Sequence, residues 1–344
     1  MRLRGLRALA LCIPALACSC SRPGPRSASA VATPTVVHET LRVESDGASL
    51  AGTLSRPSLS GRVPAVVVLH AAGLERQSDY RTYADSLAAR GIAVLAYDMR
   101  GVGASTGNPV LPTFGDLASD AMAMTRYLQS RPDIAPHAVG VWALSRGALT
   151  APLLATRDPD VAFLIVVSGP AIPVATLEAD AMAGTLRTRG YSEDEVREAL
   201  GLYRLGVQVA RSAQGRDSLE RAFQRSRSTR WFPDFPIKAI PPEGHWSWRH
   251  FREIVAYDPD TAWARVRVPV LAMYGGRDRP IISADSRARL ARALRAGGNR
   301  AVTIRVLPEA DHLMRAPEGG FARDFFASQS GWILRRAART GPLQ

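Results

Sequence analysis

The stretch Val139–Thr150, with the sequence VGVWALSRGALT, constrains the fold of this chain more than any other. Its first half is rich in strand-forming residues, and the residues after Ser145 have the spacing of a helix. A strand that turns directly into a helix pushes the residue at the turn out of the sheet edge, so only small residues fit two positions before and after it. Ala143 and Gly147 occupy those positions. The sequence therefore predicts a tight strand-turn-helix with Ser145 at its tip.

A serine at such a turn has two interpretations. It either caps the N-terminus of the following helix, which serine does well, or it belongs to a nucleophile elbow. In an elbow, the strand, turn and helix together hold a reactive hydroxyl above the edge of the sheet. The rest of the chain decides between the two.

Apolar runs and helical stretches alternate over most of the 344 residues, of which 46% are hydrophobic. A hairpin is predicted at 35–43 and 49–55, and continuous apolar runs, typical of strands covered on both faces, lie at 63–70, 92–97, 137–144, 161–167, 268–274 and 301–307. Helices are predicted at 79–90, 114–129, 146–155, 284–296 and 321–335. This alternation indicates the α/β class, with a doubly wound, mostly parallel sheet.

The alternation stops between residues 169 and 258. This interval has no buried apolar run, but it contains helical segments, one of which begins with the capping box Ser192–Glu195. A structureless loop of about ninety residues would be implausible inside a compact domain. We therefore predict an inserted helical cap at 169–258 and a core formed by 35–168 and 259–340.

The residues before this core are predicted to be a leader. Basic residues precede an apolar run that is too short to cross a bilayer, which predicts a signal peptide at 1–17 and a flexible Ser/Pro/Ala-rich tether at 18–34. All three cysteines lie within residues 12–20, and Cys18 is the candidate for lipid anchoring to a membrane. A rival cleavage site follows Ala30. Either cut predicts an exported protein without disulfides in its folded part.

The net charge of +13 raises the question of a nucleic-acid partner. Lys238 is the only lysine, and the arginines are scattered without a basic stripe or a nucleic-acid-binding motif. We expect no nucleic-acid partner. No cluster of His, Asp or Glu has the spacing of metal ligands, so neither a metal nor a cofactor is predicted.

Ligands of parallel sheets bind outside the carboxyl ends of the strands. Three chemically relevant side chains follow predicted strands there: Ser145 after 137–144, Asp278 after 268–274, and His312 after 301–307. A serine, then a carboxylate, then a histidine is the chain order of one type of catalytic triad. This order favours the elbow over the helix cap.

At this point the chain resembles the α/β-hydrolase superfamily, and within it the bacterial serine esterase and acyl-hydrolase branch. In that branch the motif Tyr-Asp-x-Arg-Gly-x-Gly-x-Ser, here 97–105, precedes the elbow. The resemblance covers about residues 35–336 and implies that Ser145 is the nucleophile, Asp278 the acid that orients the histidine, and His312 the base. Ala143 replaces the first glycine of the elbow, and Ala148 replaces a later glycine.

An acyl-transfer site also needs two donors for the oxyanion. We assign them to the backbone N–H groups of Arg146 and Ala72, with Ala71 as the alternative. The Arg146 side chain is expected to be solvated, although contact with a substrate carboxylate stays open.

Several other polar residues have less specific interpretations. His70 is expected to brace the oxyanion loop. Asp285 and Asp311 compete with Asp278, but the first is predicted at a helix start and the second faces away from His312. Asp98 and Arg100 are predicted to form a structural ion pair, and the remaining histidines have no identified partner.

The second half of the cap is rich in aromatic residues, and Trp231, Trp246 and Trp248 are predicted to bind substrate. An enclosed apolar pocket favours a small-molecule acyl substrate, and hydrolysis of carboxylic esters is the predicted activity. Alternatives on the same fold are a serine peptidase or amidase, an acyltransferase, a thioesterase and a non-catalytic binding protein. The oligomeric state is left open.

Overall fold

The computed structural model describes residues 34–110, 112–278 and 280–340. The strands are β1 (Val36–Ser45), β2 (Ala48–Pro57), β3 (Val63–Leu69), β4 (Ala93–Tyr97), β5 (Ile134–Leu144), β6 (Leu164–Val167), β7 (Val270–Gly275) and β8 (Val302–Leu307). The helices are α1 (Arg81–Ala88), α2 (Phe114–Gln129), α3 (Gly147–Arg157), α4 (Val174–Thr188), α5 (Glu193–Ser212), α6 (Arg216–Ser226), α7 (Trp246–Ala256), α8 (Asp260–Trp263), α9 (Pro280–Ala296) and α10 (Phe325–Thr340).

All eight strands form one sheet in the order β1-β2-β4-β3-β5-β6-β7-β8. β2 pairs antiparallel with β1 and with β4, and every pairing from β4 to β8 is parallel. The predicted α/β class with a mostly parallel sheet is confirmed. The carboxyl ends of β3 to β8 therefore meet at one edge.

Helices cover both faces of the sheet, as the continuous apolar runs predict. Alternate side chains of β3 point to opposite faces, as the period of a strand requires. Val66 and Val68 pack in the layer with α1 and α10, and Val67 packs with Met124 and Leu128 of α2. Because both faces of the sheet are buried, the loops that follow the strands begin from a well-packed sheet edge.

The helices α4 to α7 occupy the interval between β6 and β7, where the cap is predicted. They form their own apolar cluster, which includes Leu186, Tyr203, Phe223, Trp231 and Phe235. The side chain of Ser192 accepts a hydrogen bond from the backbone of Glu195 and caps α5, as the capping box predicts. The cap therefore has a core separate from that of the sheet.

The starts of two helices differ from the prediction by four residues, more than those of the other predicted helices. The helix predicted at 284–296 begins at Pro280, since the first turn of a helix has no need for the N–H that proline lacks. The helix predicted at 321–335 begins at Phe325, because Asp324 has a left-handed backbone (φ 65°) that interrupts helical geometry.

The predicted signal peptide at 1–17, Cys18 and nearly all of the predicted tether at 18–34 lie outside the described residues. Within the described part of the chain, no helix is long and apolar enough to cross a membrane.

Candidate active site

Ser145 lies at the turn between β5 and α3. Its φ of 49° is in the left-handed region, which few residues other than glycine adopt, so the backbone of this turn is strained. The Ser145 N–H donates to the carbonyl of Val167 at 2.8 Å and fixes the turn to β6. A Cβ on Gly147 would lie 2.6 Å from the carbonyl oxygen of Leu69, so only glycine fits there. Ala143, on the other side, is fully buried.

His312 and Asp278 meet Ser145 at the same edge. The Nε2 atom of His312 lies 2.9 Å from Oγ of Ser145. Its Nδ1 atom lies 3.0 and 2.9 Å from the two carboxylate oxygens of Asp278. The carboxylate is buried, whereas 44% of the histidine side chain is exposed. The structure thus brings the three predicted triad side chains together in the order serine, histidine, aspartate.

Two glycines allow the loops of Asp278 and His312 to approach each other. A Cβ on Gly275 would lie 2.3 Å from the carbonyl oxygen of Asp311, and one on Gly276 would lie 2.4 Å from that of Pro308. The sequence contains this signal as the Gly-Gly pair before Asp278, but its packing role depends on the neighbouring loop and was not predicted.

The two competing carboxylates, Asp285 and Asp311, lie in other environments. The Asp311 carboxylate accepts hydrogen bonds from the backbone N–H groups of Leu313 and Arg315, at 2.8 Å each, and so shapes the histidine loop. Asp285 is exposed on α9, within the helix rather than at its start. Asp278 is the carboxylate that contacts His312.

The backbone N–H groups that are predicted to bind the oxyanion differ in whether they already donate a hydrogen bond to another group. The Ala71 N–H donates to the Tyr80 hydroxyl at 2.7 Å, so the alternative donor is already used. Among the described residues, no acceptor engages the N–H groups of Arg146 or Ala72. Of the two loop candidates, Ala72 is therefore the one with a free donor.

The His70 side chain fixes the start of the loop that holds Ala71 and Ala72 against Tyr97. Its Nε2 atom lies 2.7 Å from the carbonyl oxygen of Tyr97, and its ring packs edge-on against the Tyr97 ring. Burial lowers the pKa of His70, which keeps the ring neutral near pH 7. The imidazole is thus held as a neutral donor to a backbone carbonyl.

The predicted Asp98–Arg100 ion pair is wrong. Arg100 makes a bidentate pair with Asp120 of α2, at 2.7 and 2.5 Å, and that aspartate is fully buried. Asp98 instead accepts hydrogen bonds from the backbone N–H groups of Gln77 and Ala104, at 2.9 and 2.8 Å. The two side chains have different partners, because Arg100 pairs with the Asp120 carboxylate and Asp98 accepts from backbone N–H groups.

A cavity of about 700 Å³ lies between the sheet edge and the cap. Ala71 and Arg146 line it on the core side. Arg146 directly follows Ser145 in the sequence. The cap side is largely apolar, and its wall includes Met182, Tyr203, Phe251, Ile254 and Val255. The volume lies in the range of small-molecule sites.

None of the three tryptophans predicted to bind substrate is among the residues that line this main cavity. Trp231 is fully buried in the cap, where its Nε1 donates to Glu198 at 3.0 Å. Trp246 is 45% exposed at the surface. Trp248 lines a second, smaller cavity inside the cap. Aromatic content located the apolar half of the cap, but tertiary packing decides which ring faces the site.

The Arg146 side chain crosses from the elbow to the cap. Its guanidinium lies 3.5 Å from the Glu178 carboxylate of α4 and 5.2 Å from the centre of the Phe114 ring. Its side chain is 32% exposed and is paired with Glu178, whereas the sequence predicts a solvated side chain. The residue after Ser145 therefore links the core to the cap.

Sequence and structure comparisons agree with this fold. A family profile described as serine aminopeptidase, S33, matches residues 61–205. Esterase EstD of Thermotoga maritima is 24% identical over 277 residues, which cover 78% of this chain. This chain spans only 59% of the length of EstD.

Two further similarities involve most of both partners. The quorum-quenching protein AidA of Acinetobacter baumannii is 26% identical over 244 residues, or 67% of this chain and 75% of AidA. The solved structure of the Pyrococcus furiosus esterase Pf2001 is 16% identical and superposes with a TM-score of 0.54, covering 87% of this chain and 89% of that one. The eight-stranded sheet, the elbow at the end of β5 and the likeness to this solved structure show that this chain has the α/β-hydrolase fold.

Proposed function

We propose that this protein is a serine hydrolase that cleaves carboxylic esters of small-molecule acyl substrates through an acyl-enzyme. The observation that carries the proposal is the continuous contact from Ser145 Oγ to His312 Nε2 and from His312 Nδ1 to Asp278, with each step near 2.9 Å. A serine hydroxyl is a weak nucleophile until a positioned base accepts its proton. This geometry supplies that base and holds its ring in one orientation.

The proposed reaction has two halves. In the first, Ser145 Oγ attacks the ester carbonyl while His312 Nε2 accepts the hydroxyl proton, and Asp278 stabilises the imidazolium through Nδ1–H. The N–H groups of Arg146 and Ala72 stabilise the oxyanion, and the alcohol leaves with the proton from His312. In the second half, a water molecule repeats these steps on the acyl-enzyme, releases the acid and restores Ser145.

The cavity supports an ester rather than a peptide substrate. A peptidase that binds a free amino terminus needs an unpaired carboxylate near the reacting serine. Two acidic residues line the cavity, and both are paired, Glu178 with Arg146 and Asp234 with Arg189. The names of EstD and Pf2001 favour an esterase, whereas the matching profile carries the name of an aminopeptidase, which makes peptidase the second candidate.

A substrate panel tests the proposal. Wild-type protein and Ser145→Ala should be assayed on 4-nitrophenyl esters and on aminoacyl 4-nitroanilides. We expect turnover of the esters that Ser145→Ala abolishes, and little turnover of the anilides. Efficient cleavage of anilides with poor activity on every ester would replace the esterase by the peptidase.

We further propose that the chain is exported and anchored through lipid on Cys18. The basic and apolar pattern of residues 1–17 supports export. Labelled palmitate should be incorporated into the wild-type chain and not into Cys18→Ser. A freely released protein that begins at Val31 would instead favour simple secretion.

A further inference from the structure

A second cavity of about 170 Å³ lies inside the cap. Helices α5, α6 and α7 line it together with the segment 235–241, and it is partly open at the exposed Ala239. Its walls are almost wholly apolar and include Leu202, Leu219, Phe223, Phe235, Ile240 and Trp248. We call this space the cap annex.

The polar groups at the rim of the cap annex already have partners. Ser247, whose side chain is its single lining hydroxyl, lies 2.7 Å from Nδ1 of His245. The Trp248 indole N–H donates to the carbonyl of Pro241 at 2.9 Å. A closed apolar cavity of about 150 Å³ binds benzene. The cap annex has a similar volume and an almost wholly apolar lining, so it is suited to a hydrocarbon ligand.

The cap annex shares a wall with the main cavity. Ile237 and Phe251 line both spaces. The Phe251 ring lies edge-on between Tyr203, which lines the main cavity, and Trp248, which lines the cap annex, with ring centres 6.5 and 6.3 Å away. The two spaces are therefore neighbours, and the side chains of Ile237 and Phe251 lie at their boundary.

We infer that the cap annex receives the distal end of the substrate's acyl chain, so that the substrates are medium-chain acyl esters. The inference rests on the proposed esterase function and specifies its substrate. From the size of the benzene-binding cavity, the cap annex accommodates about four to six carbons of the chain. Each methylene that enters should raise kcat/KM about fourfold, the factor that corresponds to burial of one CH₂ group.

Gly206 offers a way to fill the cap annex without touching the catalytic edge. It lies within α5 and lines the cap annex, and a Cβ built on it meets no atom within 4 Å. Glycine is a poor helix former, so a larger residue there favours the helix while its side chain occupies the cavity. Gly201 of the same helix is exposed, and a Cβ there also meets no atom within 4 Å, which makes it a matched control.

The experiment compares wild-type protein, Gly206→Leu and Gly201→Leu on 4-nitrophenyl acetate, butyrate, octanoate and decanoate. We expect the wild type and Gly201→Leu to prefer octanoate or decanoate. Gly206→Leu should lose at least about tenfold in kcat/KM on these two esters while acetate hydrolysis stays within about twofold. An unchanged ratio of octanoate to acetate in Gly206→Leu would overturn the inference and leave the esterase proposal intact.

A binding measurement separates the inference from the catalytic proposal. Decanoate below its micelle concentration should bind to Ser145→Ala in calorimetry, and Gly206→Leu in that background should weaken this binding about tenfold or more. Equal affinity of the Gly206→Leu and Gly201→Leu proteins for decanoate would also overturn it. If no ester is hydrolysed but decanoate binding depends on Gly206, the esterase proposal fails and the cap annex still binds an acyl chain.

Discussion

The sheet edge and the cap present opposite kinds of surface. At the sheet edge, polar side chains from three different loops converge, and hydrogen bonds of 2.9 to 3.0 Å fix them to one another. On the cap side, the wall is mainly apolar and its side chains pack by shape. If the core supplies the catalytic groups and the cap selects the substrate, as we propose, substitutions in the two regions should affect different measurements.

The largest expected effects are at the sheet edge. Ser145→Ala and His312→Ala should each lower kcat by about 10⁶-fold, because the members of a triad act as one unit. Thermal unfolding should change little, since the substitutions remove partly exposed groups. Retention of more than a few per cent of activity by either variant, in a preparation free of wild-type protein, would show that the roles are wrongly assigned.

Asp278→Asn should be severe but smaller in effect, with a loss of about 10⁴-fold in kcat. The amide keeps the shape of the side chain, but its NH2 group can donate to Nδ1 and so favour the histidine tautomer whose Nε2 already carries the proton. The matched control is Asp285→Asn on the exposed face of α9, which should leave kcat unchanged. If the two variants behave alike, Asp278 has no role in orienting His312.

Substitution of a buried aromatic residue in the cap should lower the stability of the protein rather than kcat. Trp231→Ala should cost about 3–5 kcal/mol in the free energy of unfolding, because its ring is fully buried in the cap cluster. Trp246→Ala should stay within about 0.5 kcal/mol, since that ring is at the surface. Denaturant unfolding measures both, and a similar cost for the two variants would contradict their different burial.

The contact between the two regions should matter least. Glu178→Gln removes the charge opposite Arg146, and the pair is partly exposed, so we expect a change of at most about 1 kcal/mol in unfolding free energy. Hydrolysis of 4-nitrophenyl acetate should stay within about threefold, because the proposed oxyanion donor of Arg146 is its backbone N–H. A loss above a hundredfold would mean that the cap pair controls the catalytic geometry and that the two regions are not separate.

The sheet edge was predictable from sequence because local rules determine it. Apolar runs specify buried strands, the small residues around Ser145 specify a sharp turn, and the ends of parallel strands must meet at one edge. Asp278 and His312 therefore came together without knowledge of any long-range contact.

The cap was less predictable because its packing is decided between helices. The composition indicates an apolar interior, but it does not reveal that Trp231 packs against Phe235 while Phe251 reaches the cavity. The Arg100–Asp120 pair shows the same limit inside the core, since its partners lie on different elements. Where the sequence carries no periodic signal for a side chain, only the tertiary structure identifies its neighbours.

Covalent labelling tests the central claim, that Ser145 is the activated nucleophile, most directly. A fluorophosphonate forms a phosphonyl bond to an activated serine Oγ and releases fluoride, and peptide mass spectrometry locates the adduct. We predict one adduct, on Ser145, that forms much more slowly in His312→Ala and is absent in Ser145→Ala. An adduct on another residue, or full labelling of Ser145→Ala, would contradict the account.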